Sequence, residues 1–242
     1  MFCMFFYFNN VYIRITGEET QTSGSIMANK GRTILTQEEI ARWIAYNYKE
    51  YFQKYNLSCE VAIVRMVCSA LGVGQLSEED ILKFFPVHKN NPELGLVIDD
   101  IDGSPIYPDG TINWENYGAH AEVVTKVLTQ IFTIYSLADR YTVETASLDG
   151  ERLKQFLKED KKCLGAIIWV AAYIDGKQPP VNSFGQVLGE HVQYVSPLLD
   201  SKERFMVYDV WPWQNQPFKL YHPLNRNLFK NKVIIIRVKD QI

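Results

Sequence analysis

The chain has 242 residues, with 25 Lys+Arg against 28 Asp+Glu, a formal net charge of −3 and a pI near 5.9. At 47% apolar and 13% aromatic it can bury a sizeable core, and without a basic excess a nucleic-acid backbone is excluded as the expected partner. Four cysteines with no C-x-x-C pair exclude a disulfide scaffold and the common zinc ribbons, and no apolar run reaches the roughly 18–20 residues of a membrane-spanning helix.

Residues 1–32 begin apolar and turn rich in Gly, Ser and Thr, which reads as a flexible extension with neither a charged n-region nor a cleavage site. Residues 33–242 read as one domain, its compartment left open between cytosol and secretion. Thr36 and Glu39 predict a capping box opening a helix from Gln37 to Phe52. Ile40, Trp43, Ile44, Tyr48, Tyr51 and Phe52 form its apolar stripe, broken only at Asn47. A second helix is expected from Cys59 to Leu71, apolar on most sides, so interior, and stopped by Gly72. Ser77 opens a third, short one. Residues 86–118 are a long loop rich in Pro, Gly and Asp, and loops of that length in compact domains are usually functional or mobile. Helices are expected again at 119–131 and 148–158. From Gly165 onward β-branched and aromatic runs at 165–174, 191–199, 204–210 and 232–238 predict a largely antiparallel sheet. Helices followed by strands give the α+β class.

Cys59 is the first candidate for chemistry. A thiol at a helix N-terminus feels the positive end of the macrodipole, which predicts a lowered pKa and a thiolate nucleophile. The plainer reading of Cys59 is a small buried hydrophobe, and that reading is the expectation for Cys68 and Cys163 in their apolar runs. A nucleophilic cysteine needs a base, and a group to orient that base. His120 reads as a satisfied core or boundary side chain, and His88 and His222 lie in loops near prolines. His191 instead begins a strand. If strands 191–199 and 204–210 form a hairpin turning near residue 201, the position facing His191 is 210–211, which brings Asp209 within one or two residues of it. Two surface residues with no joint role are the alternative.

In chain order Gln53, Cys59, His191 and Asp209 resemble the papain-like cysteine peptidases. The glutamine six residues before the cysteine matches the one that contributes to their oxyanion hole, and Trp211, two positions after Asp209, matches a tryptophan that shields the His–carboxylate bond. More narrowly, Leu57-Ser-Cys-Glu-Val-Ala62, Gly189-Glu-His-Val192 and Tyr208-Asp-Val210 resemble the bacteriocin-processing, double-glycine-leader peptidases and their stand-alone relatives. Asn91-Pro92, Asp102-Gly103 and Tyr117-Gly118 add to the likeness, which covers about Gln53 to Lys239. Glu60 after the cysteine is typical of the stand-alone relatives. The resemblance implies a papain-like fold, a peptide or protein substrate, a Cys59–His191–Asp209 triad with Gln53 in the oxyanion hole, and no metal or organic cofactor. A long aromatic helix leading into Gln53 departs from the family pattern. Acyl transfer to an amine by the same triad, and a non-catalytic peptide-binding module, are the competing readings.

Overall fold

The computed structural model describes residues 34–171, 181–187, 190–199, 204–211 and 228–240. The expected 1–32 extension, the expected turn near residue 201, His222, and residues 172–180 and 188–189 lie outside the described residues.

Thr36 caps α1 (Gln37–Asn47) through a reciprocal capping box with Glu39. The expected helix to Phe52 is cut short. At Asn47 the α-helix gives way to a 3₁₀ turn over Tyr48–Tyr51, and the Asn47 side chain donates back to the Trp43 carbonyl at 2.7 Å. The tighter winding puts Tyr48 and Tyr51 on one buried edge, three residues apart. Gln53 therefore lies in a non-helical segment that begins at Phe52, which removes the departure noted for the approach to it.

The interior helix α2 (Cys59–Ala70) has all but one of its side chains buried, Arg65 being the exception. It ends in a Schellman arrangement. Gly72 sits at φ +89° and donates to Ser69, while Val73 donates to Cys68. Next comes α3 (Glu78–Leu82), capped by Ser77 and Asp80. The 86–118 stretch follows, then α4 (Ala121–Ile134) and α5 (Gly150–Glu159).

Strands β1 (Tyr141–Ser147), β2 (Cys163–Ala171), β3 (Glu190–Leu199), β4 (Phe205–Asp209) and β5 (Leu228–Val238) form one sheet in the order β1-β5-β2-β3-β4. Each neighbouring pair is antiparallel, and the class is α+β as expected. Side chains alternate between two cores. Leu164, Ile167, Trp169, Tyr194, Tyr208, Ile234 and Ile236 face α1, α2 and α4. Ala166, Ile168, Val195, Phe205, Val207, Val233 and Ile235 meet Leu153 and Leu157 of α5. Burial on both faces explains why β5 reads as the unbroken run Val233 to Ile236. No helix among the described residues is long and apolar enough to cross a membrane.

Candidate active site

The site lies where the sheet runs out of strand. The last β4 residue, Asp209, pairs with Gln193, while β3 continues back through Val192 and His191 to Glu190, held on its other side by β2. The helical half of the chain closes on this end of the sheet: the Gln53 N–H donates to the Val210 carbonyl, next after Asp209, at 2.8 Å, and the Val192 N–H acts on the Cys59 sulfur.

Asp209 and His191 are in direct contact, Nε2 lying 2.6 Å from Oδ1. The carboxylate is held from two further directions: Trp211 N–H donates to Oδ1 at 2.8 Å, and Gln193 Nε2 to Oδ2 at 2.7 Å. Burial pushes the Asp209 carboxyl up, but the bonds from His191, Trp211 and Gln193 and the charge on His191 outweigh it, leaving the group below the usual carboxylate range. The Trp211 ring stands edge-on to the imidazole, centroids 6.2 Å apart. Nδ1 of His191 has no hydrogen-bond partner among the described residues.

Cys59 opens α2 and is 9% exposed. The preceding Ser58 makes no side-chain cap: its hydroxyl accepts the Tyr55 N–H and donates to the Tyr55 carbonyl. The thiol contacts Glu60, Sγ to Oε2 3.2 Å. The expectation of a lowered thiol pKa is overturned. Burial pushes it well above its ordinary value, with Glu60 and then Glu190 acting in the same direction and only the Val192 N–H opposing. The half-charge of a helix end cannot offset desolvation plus two carboxyl groups. The resting group is a thiol, and no hydrogen bond joins it to His191 among the described residues.

Gln53 is brought beside the site by its main chain, but its amide points elsewhere. Nε2 donates to the carbonyls of Tyr55 and Asn56 at 2.8 and 3.1 Å, and Oε1 is buried with no partner among the described residues. Both N–H groups are committed to shaping the turn into α2.

Glu60 is the residue that sequence reasoning passed over as a participant. It is 3% exposed, and its Oε1 accepts the Ala119 N–H at 2.9 Å. Gly118 makes room for it: at φ +128°, a Cβ there would lie 2.3 Å from Oε1. The Ala119 carbonyl in turn accepts from Trp169 Nε1 at 3.1 Å, so the Gly118–Ala119 segment is pinned between α2 and β2. The signal was a carboxylate in the first turn of a helix that is apolar on nearly every side.

The remaining candidates are structural. His120, expected to be satisfied, lies just before α4 and contacts Glu93 through Nδ1 at 2.9 Å and the Tyr117 hydroxyl through Nε2 at 3.2 Å. His88 Nδ1 accepts the Asn91 N–H in its loop at 3.0 Å. Burial pushes the Cys68 thiol far up and that of Cys163 up to about 12. Among the described residues no cluster of three or more His, Cys, Asp and Glu could hold a metal ion.

No protein-family model matches the chain, and no curated protein matches it. Among solved structures it is similar to the crystal structure of a candidate C39-like peptidase from Bacillus anthracis, at 12% identity and a TM-score of 0.49, covering 78% of this chain and 92% of that one.

Proposed function

We propose that the chain is a cysteine hydrolase that cleaves peptide or amide bonds, with Cys59 as nucleophile, His191 as proton carrier and Asp209 as the group orienting the imidazole. The observation that carries this reading is the 2.6 Å His191–Asp209 contact at the end of the sheet, where the Val192 N–H, one residue on, acts on the Cys59 sulfur. A nucleophile, a base and an orienting carboxylate are the minimum set for such chemistry, and a cysteine buried only for packing needs neither of the others. The α+β architecture and the order Gln53, Cys59, His191, Asp209 are those that the papain-like resemblance implies.

In this mechanism Asp209 holds Nε2, so Nδ1 takes the thiol proton. The sulfur electron pair forms a bond to the substrate carbonyl carbon as the C=O π electrons move to oxygen. The oxyanion meets the Cys59 N–H at the positive end of α2. Gln53 joins it only once its amide swings off the Tyr55 and Asn56 carbonyls. The imidazolium then protonates the leaving amine as the C–N bond breaks. The same nitrogen takes a proton from water, which attacks the thioester and frees the acid and the thiol.

The test is labelling by a thiol-directed probe together with turnover of a peptide mixture. Cys59→Ala abolishes both, whereas Cys68→Ala retains them. Labelling that survives Cys59→Ala sinks the assignment. Adding an amine acceptor and analysing products separates hydrolysis from acyl transfer.

A further inference from the structure

The mechanism above makes no use of the buried carboxyl closest to the nucleophile. Glu60 is built into place rather than merely adjacent to Cys59. One oxygen accepts the Ala119 N–H at 2.9 Å, the other lies 3.2 Å from the Cys59 sulfur, and Gly118 has no side chain where the carboxyl sits. A carboxyl held this way presents one oxygen to the thiol and cannot turn aside without orphaning a buried N–H.

We propose that Glu60 is a positioning residue of the site, which accepts the Cys59 thiol hydrogen and keeps the resting nucleophile protonated until His191 takes over that proton. The inference rests on Cys59 being the nucleophile of the proposed hydrolase. Two anions in buried contact repel, so the Cys59–Glu60 pair keeps one proton between its two members at rest and gives it up only as His191 becomes an imidazolium that offsets the second charge. Transfer of that proton to Nδ1 of His191 leaves a thiolate and an imidazolium, and the Glu60 oxygen gives up its S–H contact. Burial pushes the Glu60 carboxyl above the usual range, with the Ala119 N–H, the Cys59 contact and His191 working against that.

Other charges facing the pair are identifiable. From β3 come Glu190, which raises the thiol further, and His191, itself tied to Asp209 of β4. From α3 comes Glu78, on the Ser58 side of the turn and 3.6 Å from Arg65 of α2. His120, before α4, lies 3.7 Å from Glu190. Glu60 differs from all of these in touching the sulfur.

The experiment is the pH profile of Cys59 alkylation by iodoacetamide in the full chain, located by peptide mass spectrometry, for wild type, Glu60→Gln and His191→Ala. Glutamine keeps an acceptor for Ala119 and a donor for sulfur but removes the charge. The expected result is an acid limb displaced at least about one pH unit downward, roughly tenfold faster alkylation at a fixed pH on that limb. A Glu60→Gln profile that superimposes on wild type overturns the proposal. If the Glu60→Gln limb moves while His191→Ala leaves the profile unchanged, the Glu60 contact stands and the hydrolase reading fails. If only His191→Ala moves it, the reverse holds. Should Glu60→Gln fail to fold, Glu60→Asp withdraws the carboxyl by one methylene, and its limb moves the same way by less; an unmoved limb again overturns the proposal.

Discussion

Replacing Gly118 by alanine tests how firmly the carboxyl beneath the nucleophile is built in. Two costs add. The backbone at φ +128° is one that residues with a side chain rarely adopt, worth about 1–3 kcal/mol. The new methyl would also sit 2.3 Å from the Glu60 Oε1, so the carboxyl must move and release the Ala119 N–H, a buried group whose orphaning costs about 1–3 kcal/mol. The sum is roughly 2–6 kcal/mol, and at about 2–4 °C per kcal/mol for a domain of this size the melting midpoint should fall roughly 4–24 °C. Gly74 supplies the control: φ +94° with nothing within 4 Å of an added Cβ, so Gly74→Ala carries the backbone cost alone. Thermal unfolding followed by circular dichroism on both variants, and on Gly118→Ala combined with Glu60→Ala, separates the two costs. Removing the carboxylate should relieve part of the Gly118→Ala penalty, a non-additivity expected of residues in contact. If Gly118→Ala is no worse than Gly74→Ala, the steric account of Glu60 is wrong.

Two further substitutions have opposite pH signatures. Asp209→Asn should lower stability at pH 7 by about 1–3 kcal/mol, since three donors converge on that carboxylate. Because the folded carboxyl lies below its unfolded value of about 3.9, its contribution is complete above that pH and fades as pH falls through the folded value. The wild-type and Asp209→Asn denaturation midpoints should therefore converge below about pH 4; a gap that widens there would contradict the linkage. Gln53→Glu places a carboxylate against the Tyr55 and Asn56 carbonyls, so its folded pKa should rise above about 4.3. The resulting loss of stability should be greatest at neutral pH and recede as acid protonates the new group. Urea titrations at pH 7 and pH 4 would show it, and an equal loss at both would refute it.

Much of this architecture is written in local pattern. The Thr36 and Ser77 caps, the Gly72 stop and the all-round apolar α2 each rest on residues a few positions apart, and all lie where periodicity puts them. The His191–Asp209 contact was legible too, because hairpin register is arithmetic: Gln193 faces Asp209, so His191 lies opposite the Trp211 position. What escaped depends on distant partners. Strand β1 is an edge strand with only Tyr141 fully buried, and its Thr- and Glu-containing sequence lacks the apolar run that marks the inner strands. The Asn47 break was visible as a gap in a stripe, but not the 3₁₀ winding that keeps Tyr48 and Tyr51 inside. The thiol acidity went the wrong way because burial is the largest cause and is set by the fold around the helix, with the adjacent Glu60 next and Glu190 of β3 adding to it. For Gln53 the spacing marked its place but could not reveal which way an amide would turn.

The double anchoring of Ala119 bears on how this molecule tolerates change. Its N–H is committed to one layer and its carbonyl to the other, so the chain is nailed down immediately before α4. Upstream, residues 104–112 are held by local bonds, among them the Ile106–Ile112 bridge and the Asn113 N–H on the Pro105 carbonyl. Lengthening such a hairpin tip adds little closure entropy, about 0.6 kcal/mol per doubling. Residues grafted there would be absorbed before they reached the anchor, which makes the tip a place where new recognition can be installed without disturbing the sulfur.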